Sequence, residues 1–252
     1  MIRIAYDDNL GLPGGYAEAL GNLSLDGKPM RFDCVSFHDV GAMIRAFDRR
    51  EYAMAFTPAG SLPYACKPFD VIAEASFGSS HATALRSVLQ TRLTDSPTTL
   101  RELSYRRIGC VNRYCTTSFW APMILLLEKE MPFNTTIDFV ELRGFDDLLA
   151  ALGDYRIDGA MIWDAITISN PSESTTTRAG EFLNDLPAPV LIANELLGDD
   201  ALAKVRELAS HYQNERGKGL FNGFSMPNEQ RLKKFRNGMM RAREVFGLAI
   251  PQ

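Results

Sequence analysis

Short apolar runs and helical-period stripes alternate along this chain. Residues 2–6, 30–36, 52–57, 70–76, 84–90, 107–111, 136–141, 158–163 and 188–193 have the length and the β-branched or aromatic content of strands. Helical patterns lie between them. The clearest covers 39–48, where Asp39 can cap and Val40, Met43, Ile44 and Phe47 recur at i, i+3, i+4 and i+7. A second covers 145–152, with Phe145, Leu148, Leu149 and Leu152 on one face. Two long patterns, about 198–215 and 228–246, finish the chain with no strand predicted between them. Strand–helix alternation of this kind predicts an α/β protein whose largely parallel strands are covered by helices on both faces.

Two composition shifts break the alternation. Phe77-Gly78-Ser79-Ser80-His81 is a small-residue stretch between two strands, and Asn184 to Pro189 carries two prolines. If the chain crosses between lobes at both, residues 82–186 form one lobe. Residues 1–81 and 187–252 then form the other, with the final helices packed on it. The expected result is a hinged clamp. Ser172 to Thr177 reads as a polar loop.

Composition narrows the function classes. With 46% hydrophobic and 23% charged residues over 252 positions, the chain has enough apolar content for one large or two small cores. Its longest apolar run, Phe119 to Leu127, is much shorter than a membrane span and is closed by Glu128-Lys129-Glu130, so no membrane insertion is expected. The net charge of −4 supplies no general basic field, which argues against a nucleic-acid partner. Arg231, Lys233, Lys234, Arg236, Arg241 and Arg243 alternate with Leu232, Phe235, Met239, Met240 and Val245, and read as the solvated face of an amphipathic helix. Cys34, Cys66, Cys110 and Cys115 form no C-x-x-C pair and no zinc-like spacing with His38, His81 or His211. No metal and no cofactor are expected, and Cys34 and Cys110 read as buried small hydrophobes. Met1 leads directly into the first strand without a leader pattern. The expected location is periplasmic if a signal peptide was removed, and cytoplasmic if Met1 is the native start.

Several motifs occur together. Arg86 to Thr91, Ser96-Pro97-Thr98-Thr99-Leu100-Arg101-Glu102-Leu103 and Arg107-Ile108-Gly109-Cys110 give a strand, a short "slaDLkGk"-like helix and a second strand. Cys115-Thr116-Thr117-Ser118 followed by Phe119-Trp120-Ala121-Pro122 then matches a Ser-Thr-Ser turn that opens a helix containing proline. In these features the chain resembles the phosphate/phosphonate-type substrate-binding proteins of ABC transporters. The likeness is carried by motifs over residues 50–165 and by element order elsewhere. It implies a two-lobed, type 2 periplasmic-binding-protein-like fold, each lobe a mixed sheet flanked by helices, with the ligand cleft between the lobes. It also implies a small-molecule ligand and an ABC permease as partner. Phe56-Thr57-Pro58-Ala59-Gly60-Ser61 stands at the family's "lGPxxY" turn with Ser61 in place of tyrosine, and Phe145 stands in place of a ligand-binding histidine. Both departures weaken the case for phosphate or phosphonate as ligand. Arg143, two residues earlier, could replace the cationic contact or be an ordinary surface arginine.

Independently of any family, a polar turn after a buried strand leads at 112–127 into an apolar helix. The Cys115 backbone and the hydroxyls of Thr116, Thr117 and Ser118 would therefore meet the unpaired first-turn amides, either as an anion site or simply as a helix cap. Ligands of open α/β sheets sit outside the carboxyl ends of strands. By that rule Trp163 and Asp164 are ligand contacts, with a capping role for Asp164 equally open, and Tyr6 is the contact from the other lobe, with a core role open. The leading reading is a binding protein that closes on a small anionic solute. The alternative is a small cytosolic enzyme on the same fold acting on a carboxylate metabolite, for which Cys115 at a helix start is the available nucleophile and His81 the only histidine suited to serve it.

Overall fold

The computed structural model describes residues 1–78, 82–95, 97–130, 137–169, 177–214 and 220–248. The chain divides into two compact units. Met1–Thr83 and Pro187–Leu232 form unit 1, and Ala84–Leu186 and Lys233–Ile250 form unit 2.

Unit 1 opens with β1 (Ile2–Asp7), α1 (Tyr16–Gly21), a hairpin of β2 (Ser24–Leu25) and β3 (Lys28–Pro29), β4 (Phe32–Phe37), α2 (Val40–Asp48), β5 (Met54–Thr57) and β6 (Asp70–Ser76). Unit 2 follows with β7 (Ala84–Arg92), β8 (Arg107–Cys110), a π-helical turn (Thr116–Trp120) running into α3 (Ala121–Glu128), β9 (Asp138–Glu141), α4 (Phe145–Gly153), β10 (Gly159–Trp163), α5 (Asp164–Ser169) and β11 (Thr177–Pro187). The chain then adds β12 (Val190–Ala193), α6 (Asp199–His211) and β13 (Gly223–Ser225) to unit 1. The last helix, α7 (Glu229–Phe246), carries it back to unit 2.

The local chemistry explains the best-formed elements. Asp39 caps α2 by accepting the Ala42 amide (3.1 Å), and the apolar stripe Val40, Met43, Ile44 and Phe47 is buried. In α4 the stripe Leu148, Leu149 and Leu152 is buried, while Phe145 at the first position stays half-buried. Along α3, Ala121 to Leu126 is buried at every position, so this helix is enclosed rather than amphipathic.

Both sheets are mixed, as the resemblance implies and unlike the largely parallel arrangement that strand–helix alternation alone predicts. In unit 1 the order is β13-β6-β12-β5-β1-β4. Strands β4, β1 and β5 are parallel, but β12 runs antiparallel to β5 and β6, and β13 antiparallel to β6. In unit 2 the order is β11-β7-β10-β8-β9, with β8 parallel to β9 and β10 and with β7 antiparallel to β10. Strand β13 lies between the last two helices, where no strand was predicted; three residues are too few to show a period. The sequence pattern expects 187–252 in one lobe; the division assigns Lys233–Ile250 to unit 2, where Gly238 lies against Ile124. Cys110 is buried as expected, but Cys34 is only half-buried because β4 is an edge strand. Among the described residues no helix is long and apolar enough to cross a membrane, and no cluster of potential ligands could hold a metal ion.

Candidate functional site

In unit 2 the residues predicted from the polar turn are held by an interlocked start to the helix. Asn112 turns the chain after β8, its side chain accepting the Tyr114 amide (2.9 Å) and its carbonyl the Cys115 amide (3.2 Å). The Cys115 carbonyl receives both the Phe119 and Trp120 amides, at 3.3 and 3.1 Å, and this widens the first turn into a π-helix. Pro122 lies early in α3, where a missing amide costs little. Cys115, Thr116, Thr117 and Ser118 are all buried. Cys115 Sγ accepts the Ser118 amide (3.4 Å), and Ser118 Oγ accepts the Val111 amide (3.0 Å). The Thr117 hydroxyl touches Cys115 Sγ at 3.6 Å, and its carbonyl accepts a hydrogen bond from Ser87 Oγ (2.8 Å).

That last bond links the turn to the other predicted residues of this unit. Ser87 lies opposite Trp163 in the β7–β10 ladder, so Thr117, Ser87 and Trp163 meet at one edge of the sheet. This edge is the carboxyl end of the parallel strands β8 and β10. Trp163 is buried, and Asp164, half-buried, opens α5. Ser87 escaped the sequence reading because its role comes from strand register, and nothing in the local pattern of β7 marks it.

In unit 1 the carboxyl ends of β1 and β5 also share an edge. Tyr6 is half-buried there, beside Asp7, which is almost fully buried. Asp7 Oδ1 accepts from the Asn9 amide (3.1 Å) and from Asn9 Nδ2 (3.2 Å). Burial outweighs these two bonds and pushes the Asp7 carboxyl up to about 6. Asp8, next in sequence, pairs with the exposed His38. Ser61 is wholly buried; its hydroxyl donates to the Pro58 carbonyl (2.8 Å) and lies 2.7 Å from Thr57 Oγ1. Since the serine proton is spent on Pro58, Thr57 is the donor in the second contact.

No family model matches the chain, and no curated protein matches it. Solved structures do resemble it. XAC2383 from Xanthomonas citri, bound to ATP, has a TM-score of 0.79 at 12% identity, with 97% of this chain and 98% of that one covered. PhnD1 from Prochlorococcus marinus, in complex with methylphosphonate, has a TM-score of 0.74 at 10% identity, covering 96% and 98%. The periplasmic aliphatic sulphonate binding protein SsuA from Escherichia coli has a TM-score of 0.58 at 13% identity, covering 99% and 80%. The chain has the periplasmic-binding-protein fold.

Within the periplasmic-binding-protein fold, the two departures noted in the sequence have clear local forms. Ser61 directs its hydroxyl into its own turn and presents no aromatic wall. Phe145 sits at the start of α4, and the exposed Arg143 nearby donates its backbone amide to Asp147 Oδ2 (3.2 Å). Of the histidines, His38 and His211 belong to unit 1 and His81 lies outside the described residues.

Proposed function

We propose that the protein is a solute-binding component of an ABC importer, exported to the periplasm, that closes on a small anionic ligand of the phosphonate or phosphate kind. The observation that carries this reading is the buried start of the helix at Cys115–Ser118, on the carboxyl edge of the unit 2 sheet. Hydroxyls of Thr116 and Thr117, together with the positive end of a helix continuous to Glu128, suit an oxyanion without any salt bridge. Trp163 and Asp164 flank that point, and Asp164 suits a hydroxyl or amine elsewhere on the ligand. From unit 1, Tyr6 is the proposed contact, and Ser61 contributes small size rather than its hydroxyl. With no tyrosine at 61 and no histidine at 145, the ligand class extends to other oxyanions. The partner is an ABC permease that reads the closed form.

Titration calorimetry with methylphosphonate, inorganic phosphate, an alkanesulfonate and ATP tests the assignment, on wild type and on Thr117→Val. Loss of the hydroxyl strands part of a buried anion and costs about 1–3 kcal/mol of binding free energy, or roughly 5- to 150-fold in Kd. A lowered melting temperature with an unchanged Kd would instead leave Thr117 as a helix cap.

A further inference from the structure

Among the described residues the division of the chain places three passages between units, at 83/84, 186/187 and 232/233. All three are tied to one pair of side chains inside unit 1. Glu74 on β6 is wholly buried; its carboxylate reaches residues beside the second and third passages directly, and the first through Arg231. Its Oε1 accepts the Ala188 amide (2.9 Å), just past the second passage, and also Arg231 Nη1 (3.0 Å), just before the third. Its Oε2 accepts the amide of Asn228 (3.1 Å). Asn228 in turn caps α7, the helix that makes the third passage, by accepting the Arg231 amide (3.0 Å). The same Arg231 Nη1 donates to Thr83 Oγ1 (2.9 Å), the last residue before the first passage. Ala188 also donates its amide to the Thr83 carbonyl (3.1 Å). Arg231, which the sequence pattern placed on a solvated basic face, is thus a nearly buried partner of a buried carboxylate.

A carboxylate in a core is costly unless it is fully bonded, and an apolar residue on β6 would serve the sheet equally well. A carboxylate–guanidinium pair bonded beside three separate passages has a use beyond packing. We propose that Glu74 and Arg231 form a clasp that ties the three passages together within unit 1, so that they act as one linker instead of three independent ones. The device is a property of the ligand-free chain and does not depend on which solute is bound.

The test follows two readouts in the absence of ligand. Spin labels on Cys66, exposed in unit 1, and on Asp154→Cys, exposed in unit 2, report the distance distribution between units in a Cys34→Ser background. Hydrogen exchange reports the amides of Ala188 and Asn228. With Glu74→Gln, both amides are expected to exchange about tenfold faster together, and the distance distribution to broaden. Thr83→Val cuts only the link to the first passage; it should broaden the distribution while leaving the two amides protected. An unchanged distribution in both variants would overturn the clasp. So would faster exchange spread evenly through the unit 1 sheet, which would make Glu74 a stabiliser of that core and nothing more.

Discussion

Asp7 shows how a single residue at the candidate site costs stability. Its carboxyl is pushed up to about 6 by burial, from an ordinary value of 3.8, so the folded chain holds a proton that the unfolded chain has already released over the interval between them. Stability contributed by this group is therefore greatest below about pH 4, falls as pH rises through about 6, and stays low above it. Asp7→Asn keeps an acceptor for Asn9 and removes the buried charge. It should match wild type near pH 4 and exceed it at pH 7.5 by about 2 kcal/mol, measured as the difference between paired urea titrations. A difference that does not vary with pH would refute the assignment. A carboxylate retained at such a cost on the edge beside Tyr6 fits a group kept for binding. At this scale the sequence revealed residue types and missed their commitments. The polar turn and strand ends pointed to Thr116, Thr117, Trp163 and Asp164, but not to Ser118 spending an acceptor on Val111 or Ser61 turning inward, since both depend on which amide folds against which hydroxyl.

Among the elements, β11 carries an edge of the unit 2 sheet and depends on one glycine. A Cβ on Gly180 would lie 2.3 Å from the Thr98 carbonyl oxygen, and neighbouring Glu181 donates its amide to that same oxygen (2.7 Å). Thr98 cannot easily yield, because its own amide is bonded to Glu102 Oε2 (2.7 Å). Glu181 adds a bond from the Leu100 amide (3.0 Å) and an ion pair with Lys129 (2.9 Å), so the strand and the 98–102 segment are locked together. Gly180→Ala should cost about 1–3 kcal/mol in denaturant unfolding, with faster exchange at Glu181 and Leu100; unchanged stability would show that the strand can shift to make room. The sequence did not mark this strand, because an edge strand with Phe182 and Asn184 exposed has no apolar alternation to detect. The β2–β3 hairpin did carry a readable signal in Asp26-Gly27, which take positive φ values of 51° and 72° at its turn. Long buried elements such as α2 and β10 were legible because burial imposes their period.

For the molecule as a whole, the first two passages of the division lie near the small-residue stretch 77–81 and the two-proline stretch 184–189. The third passage falls inside α7, and a helix that runs on without a break shows no boundary in its periodicity. Each unit has its own sheet and core, so the two need not unfold together, and the chain supplies a separate reporter for each. Both tryptophans, Trp120 and Trp163, lie in unit 2, while Cys66 is exposed in unit 1 and can carry a dye once Cys34 is replaced by serine. A ligand present at 100 times its Kd stabilises whatever it binds by about 2.7 kcal/mol, or roughly 5–10 °C for a chain of this size. If the anion is held by Thr117 and Tyr6 together, tryptophan fluorescence and the Cys66 dye should report the same upward shift in midpoint on adding the tightest-binding oxyanion of the calorimetric panel. A shift in tryptophan fluorescence alone would confine the ligand to unit 2 and remove Tyr6 from the site. No shift in either would reject the oxyanions as ligands while leaving the fold unaffected.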